Sequence, residues 1–199
     1  MATSRLKRFA AALLLPAAGL GAAAAQEPEQ LPIQVKASSS DFDYQNGVLK
    51  FNAITITQGE TRITADRAVA SGLDFQESSW EFTGNVRIST PESAIASETA
   101  RVRFAGGEIE TASVTGNPAT FEQRRKEEHA QGRANHIDYD LKRGAVEFAG
   151  EAWLSDGKTE VTGATLVYST VNQRVVSREP VVITIQPGES AAEKPKPPS

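Results

Sequence analysis

No cysteine occurs anywhere in the 199 residues, and the only methionine is Met1. Without cysteine there is no disulfide framework, no thiolate metal site and no thiol nucleophile. Histidine is nearly absent too: His129 and His136 stand seven apart with Gly132 between them, and no carboxylate accompanies them at the spacing of a metal or catalytic site. No GxSxG elbow or other catalytic signature is present, so the sequence gives no support to an enzyme and calls for no cofactor or metal. Positive charge is also scarce, with 21 basic against 25 acidic residues. Its one cluster, Arg124, Arg125 and Lys126, is ringed by Glu122, Glu127 and Glu128, which cancel the field that a phosphate backbone needs. A solvated hairpin tip is expected there, and no nucleic-acid partner.

Long apolar runs are missing as well, except at the start. Arg5, Lys7 and Arg8 precede an uncharged stretch from Phe9 to Ala25 that ends in Ala23, Ala24 and Ala25, the layout of a secretory signal. The competing reading is a retained anchor, because 17 residues reach the lower end of the spanning range. The run is mostly Ala, Gly and Pro, so cleavage before Gln26 is favoured. Loss of those three basic residues leaves 18 basic against 25 acidic, a mature charge of about −7. The expected organisation is a signal peptide over 1–25, one domain over 26–187 and a disordered Pro/Lys tail over 188–199, where Lys194 to Pro198 cannot bury enough surface to fold.

What fills the domain is period-two alternation in short runs, as in Trp80-Glu81-Phe82 and Val146-Glu147-Phe148, punctuated by Asn46-Gly47, Gly106-Gly107 and Asp156-Gly157. Such dipeptides supply the positive φ angles of tight hairpins. The fold class is therefore all-β. Internal repeats refine it: the segment from Trp80 to Ile88 aligns with Val146 to Leu154, and Val114-Thr115-Gly116-Asn117-Pro118 falls between them. Their glycines, at 84, 116 and 150, are 32 and 34 residues apart, and Leu49 to Ala53 reads as an earlier copy without the glycine.

A second pattern places apolar or small residues at i, i+2, i+5 and i+7. It recurs at Ile63, Ala65, Ala68, Ala70; Ile95, Ser97, Ala100, Val102; Gly132, Ala134, Ile137, Tyr139; and Val161, Gly163, Leu166, Tyr168. A one-residue shift of parity in mid-strand is what a bulge or bend produces, keeping both halves turned to one interior. The pattern predicts sheets sharing strands around a corner, a twisted β-jelly-roll or solenoid-like stack of antiparallel strands.

Other motifs fade on inspection. Gly157-Lys158-Thr159 lacks the glycine of a phosphate loop, since position 152 is Ala, and Asp41 to Gly47 lacks the closing Glu of a calcium loop, since position 52 is Asn. Trp80 and Phe82 lie on the inward parity, where core packing is the plain explanation. Trp153 does not, which leaves it for a rim or partner contact.

The ordered series Leu49-Lys50-Phe51, Ile63 to Ala68, Phe82 to Val86, Gly116 to Phe121, Ala134 to Asp140 and Val146 to Gly150 resembles the OstA-like family from about Val35 to Ile185. The resemblance implies a periplasmic, V-shaped β-jelly-roll that binds lipopolysaccharide through its lipid A acyl chains. It also implies head-to-tail assembly into a bridge between an LptC-like inner-membrane subunit and an LptD-like outer-membrane subunit. The absent glycine near Asn52 departs from the pattern. Leu49, Phe51, Ile56, Ile63, Trp80, Phe82, Val86, Ile88, Ile95, Val102, Ile137, Tyr139, Val146, Phe148, Leu166 and Tyr168 become the expected lipid-lining set. Ile33, Val35, Val181, Ile183 and Ile185, on the two terminal runs, become the expected interface. Small inward residues, Ala65, Ala68, Ala134 and Gly163, would leave room for cargo.

Three other readings stay open: a membrane-anchored LptC-like transport subunit, a secreted β-solenoid carbohydrate-binding module using Trp153, and a solenoid hydrolase with paired carboxylates. The leader decides between the first and the bridge reading. The native protein should begin at Gln26, as measured by intact mass. A full-length, membrane-retained species would establish the anchored form instead.

Overall fold

A computed structural model describes residues 31–73, 75–125 and 128–186. The leader, the cleavage point at Gln26, Lys126 and the tail over 188–199 fall outside those residues. Every regular element described is a strand: β1 (Gln34–Lys36), β2 (Ser39–Asp43), β3 (Val48–Gln58), β4 (Thr61–Ala70), β5 (Glu77–Ser89), β6 (Ser93–Ala105), β7 (Glu108–Arg125), β8 (Glu128–Asp140), β9 (Ala145–Ser155), β10 (Thr159–Ser169), β11 (Val175–Val176) and β12 (Val181–Ile185). They form one antiparallel sheet in which β3 to β10 follow each other as a meander. β1 and β2 share the free side of β3, and β11 and β12 share that of β10.

The expected turns are present. Gly47, Gly106, Gly107 and Gly157 all have positive φ, between 62° and 89°. At the β9–β10 turn the Asp156 carboxylate accepts backbone N–H bonds from Lys158 and Thr159, and these hold its pKa below the ordinary carboxylate value. Of the basic cluster, Arg124 and Arg125 end β7, with Arg125 opposite Glu128 of β8 in the ladder, and the Arg124 side chain bonds Glu122.

The corner is a row of bulges running across the sheet at the level of the parity shifts. The strands with the i, i+2, i+5, i+7 pattern are the short partners. The extra residues belong to the glycine motifs of β5, β7 and β9. Between Thr83 and Arg87 three residues of β5 face only Ala65 and Asp66 of β4. Between Thr115 and Thr120 four residues of β7 face only Ser97 and Glu98 of β6. On β9, Gly150, Glu151 and Ala152 face Ala134 and Asn135. The surplus is absorbed by left-handed backbone at Gly84 and Asn85, and at Gly150 and Glu151. In β3, Ala53 takes the same conformation at φ 46°, so the missing glycine is replaced by a residue held in a costlier shape. The β3–β4 register runs through it unshifted, Asn52 opposite Arg67 and Ile54 opposite Ala65.

Each long strand thus has two arms, one on either side of the corner. In the first arm, Leu49, Ala70, Trp80, Val102, Ala112, Tyr139, Val146 and Tyr168 are successive ladder partners; so are Phe51, Ala68, Phe82, Ala100, Val114, Ile137, Phe148 and Leu166. In the second arm one row runs from edge to edge through Val35, Ile56, Ile63, Ile88, Ile95, Phe121, Gly132, Leu154, Val161 and Ile183.

The arms close on one another. Phe121 of the second arm meets Tyr139, Phe148 and Tyr168 of the first at ring-centroid distances of 5.8 to 6.2 Å. A second aromatic stack, Phe75, Trp80 and Phe51, spaces its rings 5.3 and 5.5 Å apart near the N-terminal edge.

Gly84 tests how much the corner depends on its glycine. A Cβ there would lie 2.4 Å from Asp66 Oδ2, whereas one at the turn residue Gly47, also left-handed, meets nothing within 4 Å. Gly84→Ala should lose about 2–3 kcal/mol in urea unfolding, and Gly47→Ala about 1, the backbone strain alone. Equal losses would mean that contact at the corner contributes nothing.

Candidate functional site

The interior between the arms holds the apolar core of the described residues. All of the expected lipid-lining residues face it: every one is buried except Tyr139, which is half-buried and packs on the same cluster. The sequence reading missed Ile54, Phe104, Phe121 and Leu154, which are buried in the same cluster. Ile54 lies beyond the left-handed Ala53, and Phe121 beyond the two surplus residues of β7, so simple alternation loses both. Restarting the count after Asn117-Pro118 would have recovered Phe121.

The small inward residues are not spare volume in this arrangement. A Cβ on Gly132 would sit 2.4 and 2.6 Å from ring carbons of Phe148, and one on Gly163 would sit 3.2 Å from Val181. Val181 is the ladder partner of Gly163 on β12, whereas Phe148 belongs to the arm facing Gly132; with the ring contacts of Phe121 it packs the arms shut.

The arms are joined continuously at the corner and meet again at their free ends, the lips. One lip carries the β6–β7 and β8–β9 turns and the chain after β10; the other carries the β3–β4, β5–β6, β7–β8 and β9–β10 turns. Two glutamines reach across. Gln58 Nε2 donates to Gly107 O at 2.9 Å and to Leu31 O at 3.2 Å. Gln123, 5% exposed, donates through Nε2 to Thr170 O at 3.3 Å and accepts the Tyr168 hydroxyl at 2.7 Å. Two cavities lie along this cleft. One of about 810 Å³ has Gln58, Thr61 and Thr90 on one side and Ile109, Leu141 and Lys142 on the other. The second, of about 460 Å³, lies between Gln123, Ala130, Leu154 and Val161 and the facing Tyr168 and Val175.

The expected interface residues occupy the two sheet edges. Ile33 and Val35 are half-buried, and Val181, Ile183 and Ile185 are exposed, Ile183 by 58%. The outer face is polar. Glu81, Glu98 and Glu147 are exposed, and His136 sits among Ser113, Thr115 and Asp138. Among the described residues no group of three or more His, Asp or Glu is placed to hold a metal. Trp153 has the Arg133 guanidinium 4.5 Å over its ring, and its Nε1–H donates to Glu160. It is therefore no open stacking platform.

The family described as LptA/(LptD N-terminal domain) LPS transport protein matches residues 69–174, just over half of the chain. The chain belongs to this family. The match begins in β4 and ends beyond β10, so it takes in the three glycine bulges and most of both arms. A solved structure is also similar: LptH, the LptA-homologous periplasmic component of the lipopolysaccharide transport device of Pseudomonas aeruginosa. It is 18% identical, with a TM-score of 0.52 over 79% of this chain and 96% of that one. At that identity the likeness establishes the fold. No curated protein sequence matches the chain.

Proposed function

We propose that this LptA-like chain works in the periplasm as a lipopolysaccharide-binding bridge. Lipid A acyl chains are shielded between the arms, and lipopolysaccharide passes from copy to copy, from an LptC-like subunit at the inner membrane to an LptD-like subunit at the outer one. The observation that carries this reading is the edge-to-edge apolar row from Val35 to Ile183, which runs the length of the interior and stops at no polar wall. Each methylene exposed to water costs about 0.8 kcal/mol, so a lipid with several acyl chains cannot cross an aqueous space bare. A continuous apolar path removes that cost at every point of the route. Transfer between like subunits is then nearly isoenergetic, and direction comes from an energy-coupled partner.

A photo-crosslinking residue at Phe82, on the interior row, should label lipopolysaccharide strongly, and one at the adjacent outward Glu81 weakly. Equal labelling, or none at either, would leave the interior as ordinary core.

Assembly rests on the edges. Soluble monomers usually blunt a terminal strand with charge or proline. Val181 to Ile185 has neither, and among the described residues no strand pairs with its outer side. Strand addition to the β1–β2 edge of the next copy is heterologous and propagates. Ile183→Asp, at an exposed position, should shift light scattering toward monomer without loss of fold. A wild type that stays monomeric at high concentration, with the variant still supporting envelope transport, would remove the bridge from this edge.

A further inference from the structure

The transport reading needs lipid between the arms, yet the arms are packed shut, so one boundary of the interior must part. The corner cannot do so cheaply, because each strand there is a continuous chain, bulged but still laddered on both sides. The lips are held differently. Among the described residues no strand crosses them, and two side chains at equivalent rungs make polar contacts from arm to arm, Gln58 two residues beyond the interior Ile56 and Gln123 two beyond the interior Phe121.

Gln123 is the better placed of the two. Its partners, Tyr168 and Thr170, are 4% and 6% exposed, and Thr170 is itself tied by its N–H and hydroxyl to Gly144 O. The Tyr168 ring stands 6.2 Å from Phe121, the aromatic that joins both arms. On the outer side of the contact lies the 460 Å³ cavity, whose walls Leu154 and Val161 belong to the edge-to-edge apolar row. Ala130, Leu154, Val161 and Val175 thus form an apolar strip through an otherwise polar cavity, and that strip meets the interior at the buried contact of Gln123 with Tyr168 and Thr170. Polar groups inside an apolar seam fix one arrangement and are also the first to take water when it opens.

We propose that the contact of Gln123 with Tyr168 and Thr170 is the bar of a side gate, and that lipid acyl chains pass into the interior through the cleft beside it. The proposal rests on the transport reading and names its port. The lipid's polar head stays at the rim, where Ser155, Lys158, Thr159 and Asp156, whose carboxylate is taken up by the turn's own N–H groups, line the cavity.

Stopped-flow uptake of lipopolysaccharide carrying a fluorescent acyl chain tests it, on wild type, Tyr168→Phe and the double variant Gln123→Leu/Tyr168→Phe. The single variant drops one bond of the bar; the double variant removes both of its polar side chains and leaves the Thr170 carbonyl without its Gln123 donor, so thermal unfolding is measured alongside to establish that the fold survives. Uptake should be faster by about five-fold in Tyr168→Phe, the factor set by one hydrogen bond broken before the slow step, and faster still in the double variant. A purely structural role would lower the melting temperature and leave the uptake rate where it was. An unchanged rate in the folded double variant overturns the gate while leaving transport standing. Absence of uptake by wild type itself overturns the transport reading, and the gate with it.

Discussion

A mismatch in residue number between neighbouring strands shapes this molecule. At the middle of β5, β7 and β9 the chain carries more residues than the partner strand can pair, and in β5 and β9 left-handed backbone at Gly84 and Asn85 and at Gly150 and Glu151 takes up the difference. A regular ladder would give a flat, two-faced sheet with one apolar side open to water. The bulge row bends every strand at the same level, so that the apolar side covers itself. Asp66, whose carboxylate accepts a bond from Asn85 at 2.9 Å, and Asn135, packed against Gly150, sit on the short strands at this level. The pairing of a surplus strand with a short polar neighbour explains why two different sequence patterns alternate along the chain.

The bend also divides the boundaries of the interior into unequal kinds. At the corner, opening is opposed by backbone ladders that are cooperative along each strand. At the lips it is opposed by apolar contact and by glutamine side chains, whose hydrogen bonds are each worth about 1 kcal/mol net. A carrier has to hold cargo away from water and still let it go, which asks for one strong hinge and one weak seam. On the proposed reading the two Gln contacts are that weak seam, and no buried polar side chain is left unsatisfied among the described residues.

Much of this was legible in the sequence, for a physical reason. Alternation is a one-dimensional record of which side of a strand meets water, so the all-β class, the turns and nearly every inward residue follow from it. Ile54 and Phe121 escaped because each follows a place where the count of residues per rung changes. The choice between a bulge and a bend on the parity-shifted strands stayed open for the same reason. A parity shift is visible on the short partner, but which strand holds the surplus is a property of the pair. Contacts between the arms were not legible at all. That Phe148 fills the place of a side chain at Gly132, or that Gln123 meets Tyr168, depends on how the bent sheet twists, and no local pattern encodes it.

The ends of the sheet follow from the same geometry. Because the bend lies across the strands, the interior runs along the stacking direction and reaches both edges. Val35 and Ile183 continue the same row as the buried Ile56 and Leu154, although Ile183 faces water in the single chain. A globular β protein would end such a row with charge or cap it with a helix, since each exposed apolar residue there costs stability and invites aggregation. Keeping the row apolar to its last rung has a use only if another rung follows. On the proposed reading the next copy supplies that rung, and the interior, its apolar lining and its lateral seam then repeat along the assembly with the period of one chain.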